Sequence, residues 1–149
     1  MVLCPERRKK LLGWFEELLC ESISLYFLDY MAKNWKSCFL SRINPGFDKS
    51  FVSYLEDLLS SSPKNPLAKC KSEELMRDYA KNRRYDRDSR LQERNTLYRE
   101  ILKDPLACRC FVDYVSYIAP NGTTIDFAAW QEADPRNRLI PCMRKLQPI

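Results

Sequence analysis

NTLYREILKDPLACRCFVDYVSYIAPNGTTIDFAAWQEADPRN, residues 95–137, decides the reading of the whole chain. Tyr98, Ile101 and Leu102 recur at helical spacing up to Lys103-Asp104-Pro105. A proline has no N–H and a fixed φ, so it suits the first turn of a helix and disrupts the middle of one. One helix is therefore expected to end near Lys103. A second starts at Pro105, capped by Asp104, and buries Leu106, Cys110, Phe111, Tyr114 and Val115 before ending near Ile118. Ala119-Pro120-Asn121-Gly122 turns the chain. Thr123 or Thr124 then caps a third helix carrying Ile125, Phe127 and Trp130, which stops around Asp134-Pro135.

The same reading extends toward the N-terminus. Leu11, Leu12, Phe15, Leu18, Leu19, Ile23, Tyr26, Phe27 and Tyr30 lie three and four residues apart, the stripe of an amphipathic helix over 6–32. Ser22 can cap a fresh start, so a break is expected near Glu21-Ser22. A short helix is read over Trp35 to Ile43, ended by Asn44-Pro45-Gly46. Phe47, Phe51, Tyr54, Leu55, Leu58 and Leu59 mark another, and SSSPKNP at 60–66 stops it. Ser72 with Glu73 and Glu74 opens a helix toward Tyr85. The tail, RLIPCMRKLQPI, is read as a single packed turn or a free end. The fold class is all-α, a bundle of about six to eight short helices.

Composition agrees. The chain has 149 residues, 45% hydrophobic and 30% charged, enough to bury a core without metal or disulfide staples. Three glycines and an excess of straight-chain residues over valine favour helix. Histidine is absent, which removes the commonest general base and metal ligand, and no phosphate loop, dinucleotide fingerprint or nucleophile elbow occurs. The expectation is a non-enzyme with no cofactor and no metal; Cys108-x-Cys110 lacks ligand partners for zinc. Seven widely spaced cysteines read as free thiols of a reducing, cytoplasmic compartment. Glu16 and Glu17 cut the Leu-rich run after residues 6–10 short of a secretory core, and no apolar stretch is long enough to span a bilayer.

Residues 69–103 hold eleven Lys and Arg against seven Asp and Glu, most of the chain's net +5. Arg83, Arg87, Arg90 and Arg94 fall on one side of an unbroken helix, with Arg84 beside them. One reading is an anion-binding face over 77–99 that takes nucleic acid, with Tyr79 and Tyr85 stacking on bases. The other is a salt-bridged solvent face, since Asp78, Asp86, Asp88, Glu93 and Glu100 are interleaved. A third is membrane apposition through Arg7, Arg8, Lys9 and Lys10 beside Leu11, Leu12, Trp14 and Phe15, set against Trp14 and Phe15 being core.

A pattern recurs. Phe15-Glu16-Glu17-Leu18-Leu19 answers Tyr98-Arg99-Glu100-Ile101-Leu102, and Phe27-Leu28-Asp29-Tyr30-Met31 answers Phe111-Val112-Asp113-Tyr114-Val115. The second copy with its continuation resembles the front of an RGS domain, the helical regulator of G-protein α subunits. Tyr98, Ile101 and Leu102 stand for its aromatic-x-x-Leu-Leu opening; Phe111, Tyr114 and Val115 for its F-x-x-[FY]-[LV] segment; Ile125 and Phe127, with Glu132, for its [IL]-x-F-W helix. Long multi-box RGS-like proteins carry incomplete copies, which the first stretch resembles. The family's acidic residue and its Gα-contacting asparagine fall on Thr123 and Thr124, and its tryptophan on Ala128, with Trp130 two places on.

The resemblance implies a protein-interaction module, with Gα as partner and GTPase acceleration weakened by those replacements. Asn121, Thr123, Thr124, Glu132 and Arg136 are its candidate docking residues. The expected organisation is an N-terminal helical part (1–59), a linker (60–71) and a C-terminal helical part (72–149), forming a single domain or two hinged sub-bundles. Leu18, Leu19, Phe27, Phe51, Leu55, Leu58, Phe111, Tyr114, Phe127 and Trp130 are the expected core.

Overall fold

Phe15, Leu18, Ser22 and Leu25 stand three or four residues apart, and in the computed structural model they line the buried face of one helix, α1 (Gly13–Asn34). The structure describes residues 12–82 and 86–149. Helix α1 runs through Glu21-Ser22 without the expected break. The Ser22 hydroxyl donates back to the Leu18 carbonyl at 2.7 Å and approaches the Arg94 carbonyl at 3.2 Å, so it has no part in a cap. The helix packs between α2 (Asp48–Ser60) and α4 (Leu91–Lys103).

Helices α1 and α2 are joined by two 3-10 turns, Trp35–Ser37 and Phe39–Arg42, in place of the helix expected over 35–43. Cys38 separates them with extended backbone, φ −79° and ψ 140°. Trp35 is buried here, donates its indole N–H to the Asn44 carbonyl at 3.0 Å, and meets Phe47 and Phe51. Leu25 clusters with Leu55, Leu58 and Leu59 farther along α2, so the two helices are antiparallel.

The segment expected as a linker is anchored to the core at two points, its other residues being exposed or half-buried. Leu67 opens a 3-10 turn (Leu67–Lys69) and is fully buried, and Cys70 joins the same core. That core takes Trp14, Phe15, Leu18 and Leu19 from one side of 60–71 and Met76, Leu97, Ile101, Phe127, Trp130 and Ile140 from the other. Helix α3 (Glu73–Asn82) starts where expected, the Ser72 hydroxyl accepting from the Leu75 N–H at 3.2 Å.

Pro105 does open a helical segment, but a 3-10 one, Pro105–Tyr117. Residues three apart eclipse each other in this geometry. Cys108, Phe111, Tyr114 and Tyr117 form one inward row, and Ala107 and Cys110 a second. An α-helix would rotate such a row by ~60° at every step and carry its end off the core. Leu106 and Val115, expected inside, are 67% and 40% exposed because they fall on the third row.

Among the described residues the extended backbone pairing is one antiparallel bridge, Ile118 to Ile125, closing the turn through Gly122 at φ +72°. Helix α5 (Phe127–Ala133) is capped by Asp126, whose carboxylate accepts from the Ala129 N–H at 3.0 Å; neither threonine caps it. Thr124 instead turns its hydroxyl back to the Asn121 side-chain oxygen. The tail forms α6 (Leu139–Leu146), burying Leu139, Ile140 and Met143, with Pro141 tolerated in the first turn. The fold is an all-α bundle.

Of the expected core, Leu18, Leu19, Leu55, Phe111, Phe127 and Trp130 are buried, and Phe51, Leu58 and Tyr114 are half-buried. Phe27 is 57% exposed, because Leu25 and Ser22 set the inner face of α1 and Phe27 points away from it. Leu18→Ala should therefore cost about 2–5 kcal/mol in urea denaturation, and Phe27→Ala within about 0.5 kcal/mol of zero. Equal costs at the two positions would contradict this burial pattern.

Candidate functional site

Of the arginines read as an anion-binding face, Arg90 and Arg94 are directed into the protein. Asp86 is extended and Arg87–Arg90 is a 3-10 turn, so no single helix aligns them. Arg90 is fully buried and donates to the Tyr79 hydroxyl at 2.8 Å, which in turn shares a 2.6 Å hydrogen bond with Ser89. Arg94 is 4% exposed and donates to the Leu58 carbonyl and to the Asn95 side-chain oxygen. Arg87 is solvent-facing and reaches back to Glu21 at 3.5 Å and Glu17 at 3.9 Å. Arg83, Arg84 and Tyr85 lie outside the described residues.

Glu21 is the acid around which these cations gather, with Arg90 3.7 Å away. Neither carboxylate oxygen of Glu21 finds a hydrogen bond, and the Arg90 Nε and Nη2 also lack one. Burial pushes the Glu21 carboxyl above its ordinary value, and Arg90, Arg94 and Arg87 offset this in part. A cleft of about 390 Å³ opens beside the cluster, lined by Glu21, Arg87, Arg94, Cys20, Tyr54 and Ser61. Its charges are matched within the protein, so it presents no single-signed field to a phosphate chain.

The candidate docking residues divide. Thr123 and Thr124 are 1% and 6% exposed. The Asn121 side-chain oxygen accepts from both their backbone N–H groups, at 2.9 and 3.1 Å. The loop is pinned from outside as well. Trp14 donates its indole N–H to the Thr123 carbonyl at 2.9 Å, and the Gln147 side chain bonds both the N–H and the carbonyl of Ile125. Asn121 is half-buried at one end of α5; Glu132 and Arg136 are exposed at the other. The structure thus brings Asn121 and the threonines into one turn and leaves Glu132 and Arg136 apart from it.

Sequence reasoning missed the outer row of the Pro105–Tyr117 segment. Leu106 and Val112 are 67% and 79% exposed, and Val115 follows on the same row, with Arg109 between. The sequence does repeat every three residues at Phe111, Tyr114 and Tyr117, but that spacing fits an α-helix as well and does not by itself assign the outer row. Tyr114 also donates its hydroxyl to the Glu16 carboxylate, and burial together with that charge pushes the phenol up.

Cys20, Cys38, Cys108, Cys110 and Cys142 are free thiols. Burial pushes the Cys110 thiol up to about 12, which keeps it protonated and unreactive. Among the described residues no three His, Cys, Asp or Glu side chains gather as a metal site, and no helix is long and apolar enough to cross a membrane.

The Glu21 environment has a measurable consequence. Because burial raises the folded value above the ordinary 4.5, the native state keeps this proton to higher pH than the unfolded chain does. The group favours folding below 4.5, and that contribution is lost as pH rises through 4.5 toward the folded value. Glu93, raised by its own burial, adds a slope of the same sign. Glu21→Gln should flatten, without abolishing, the fall in urea-measured stability across that window; an unchanged slope would count against the buried carboxyl. Set beside family models, curated proteins and solved structures, the chain matches none.

Proposed function

We propose that the chain is a non-enzymatic protein-interaction module, RGS-like in its second half, that binds a G-protein α subunit without accelerating its GTPase. The observation that carries this reading is the outer row of the Pro105–Tyr117 segment, where Leu106, Val112 and Val115 face water while Cys108, Phe111, Tyr114 and Tyr117 pack inward. Apolar residues grouped on an exposed face mark a site of association. The resemblance adds support at the level of packing. Of the positions that carry it, Tyr98, Ile101, Phe111, Ile125 and Phe127 are buried, whereas Tyr114 is half-buried and Leu102 and Val115 are exposed.

Loss of acceleration follows from the turn. In the family, an asparagine reaches the Gα switches from the place that Thr124 occupies here. Thr124 is buried with its hydroxyl committed to Asn121 at 3.0 Å, so it has no free amide or hydroxyl to hold a switch in its transition-state arrangement. Glu132 and Arg136 remain available at the far end of α5 as polar contacts. For nucleic acid, the burial of Arg90 and Arg94 takes two of the five arginines away from the alternative, and Arg87 stays exposed.

The test is retention of Gα from lysate by the purified chain, with GDP alone and with GDP plus aluminium fluoride, followed by single-turnover GTP hydrolysis. Gα should be retained, Leu106→Asp with Val112→Asp should reduce retention at least tenfold, and hydrolysis should stay at its intrinsic rate. Absence of Gα under both nucleotide conditions would end the reading.

A further inference from the structure

We propose that the end of the α1–α2 hairpin, residues 36–47, is a docking surface for an anionic phospholipid bilayer. This stands independently of the Gα reading. Phe39, Leu40, Ile43 and Phe47 are 68%, 52%, 70% and 42% exposed, an apolar group larger than the isolated exposures of an ordinary surface. Lys36, Arg42 and Lys49 are exposed around it, against the single half-buried Asp48. Lys33 is already paired with Asp29 at 2.6 Å and adds no net charge.

The shape favours a bilayer over a protein groove or a nucleic acid. The group sits where two antiparallel helices turn, so it is a projection and not a concavity. Its exposed apolar residues are interspersed with cations, the combination that meets acyl chains and headgroup phosphates at a membrane surface. Its backbone is also prepared for a region poor in water. The N–H groups of Cys38, Ser41, Ile43 and Asn44 donate to Trp35, Cys38 and Leu40 carbonyls at 2.9–3.1 Å, so shallow insertion strands few polar groups.

The projection is held in shape from within. Trp35 fills its base, tied to the Asn44 carbonyl, and Phe47 and Phe51 meet edge to face at 5.1 Å behind it. The Arg42 guanidinium lies 5.8 Å over the Phe39 ring, which places one cation and one insertable ring together. By contrast, Trp14 and Phe15, the rings that the N-terminal membrane reading would insert, are in the core.

Co-sedimentation of the full chain with vesicles of phosphatidylcholine alone, and of phosphatidylcholine with phosphatidylserine, tests this. The chain should sediment with the phosphatidylserine vesicles and remain in solution with phosphatidylcholine alone. Each exposed cation contributes roughly fivefold in affinity, so Lys36→Glu with Arg42→Glu should weaken binding by roughly 25-fold or more. Phe39→Ser with Ile43→Ser should abolish the part of binding that survives high salt. All four changes are at exposed positions, and unchanged circular dichroism and thermal unfolding would show the fold intact. Arg144→Glu with Lys145→Glu, exposed on α6, should leave binding as it was. Failure to bind phosphatidylserine vesicles would overturn the proposal, as would an equal loss in the α6 variant. So would a chain that ignores vesicles and forms a dimer that Phe39→Ser with Ile43→Ser dissolves.

Discussion

The indole of Trp14 sets the terms for the rest of the fold. A tryptophan buried to 1% exposure must keep a partner for its N–H, and the partner is the carbonyl of Thr123, 109 residues along the chain. The neighbouring side chains of α1 add to the same junction. Phe15 meets Tyr114 at 5.7 Å and Phe127 at 5.9 Å, both edge on, and Glu16 accepts the Tyr114 hydroxyl. With α1 fixed beneath the C-terminal third, α4 has one place to go, against α1 and the Pro105–Tyr117 segment, and α6 closes over α4 and α5. The turn at 119–126 is thus held from three sides: by Asn121 within it, by Trp14, and by Gln147.

Helix positions were legible because they rest on local chemistry. Proline at 105, serine at 72 and the apolar spacing of 47–59 each act within a turn or two of themselves. The kind of helix was not legible, and the repeated motif shows why. Phe27-Leu28-Asp29-Tyr30-Met31 and Phe111-Val112-Asp113-Tyr114-Val115 nearly coincide in sequence. In α1 the phenylalanine is 57% exposed, whereas in the 3-10 segment it is 7% exposed. What differs is the neighbourhood. The second copy has Cys108 and Tyr117 three residues to either side of Phe111 and Tyr114, and the core accepts that straight row. Similar words in the chain therefore carry different structural meanings, and the repeat marks a shared vocabulary without a shared conformation.

The arginines failed as a surface for a related reason. Charge is an excellent cue to exposure until a distant acid changes the balance. Arg94 lies between Leu91 and Tyr98 on the face of α4 that turns inward, a position the periodicity already assigns to the interior. What no local pattern reveals is that α1 delivers Glu21 to the same place, or that Leu58 offers a carbonyl at the end of α2. The same applies to Thr123 and Thr124, which look like surface cap residues until the indole of Trp14 arrives above them. Each of these misreadings concerns a polar residue whose surroundings are completed by a segment remote in sequence.

Taken together, those inward-turned groups shape what the molecule has left for recognition. Arg90, Arg94 and the Thr124 and Tyr114 hydroxyls each have internal hydrogen-bond partners, so polar chemistry at these places contributes to folding and specificity of packing. Free energy not yet realised sits elsewhere, in apolar side chains that the finished core leaves in water. Covering one large apolar side chain is worth about 1.5–3 kcal/mol when burial is complete. Leu106 and Val112 on the 3-10 row, and Phe39 and Ile43 at the hairpin end, each hold most of that amount in reserve. The two groups differ in form. The first is a straight row on the flank of a bundle, with Arg109 and Asp113 of opposite sign nearby, which suits a complementary protein surface. The second is a projecting apex with cations predominating, which a protein pocket would have to enclose but a bilayer can simply receive. A chain that binds through both would hold its protein partner at a fixed height above a membrane, because the rigid length of α1 separates the two.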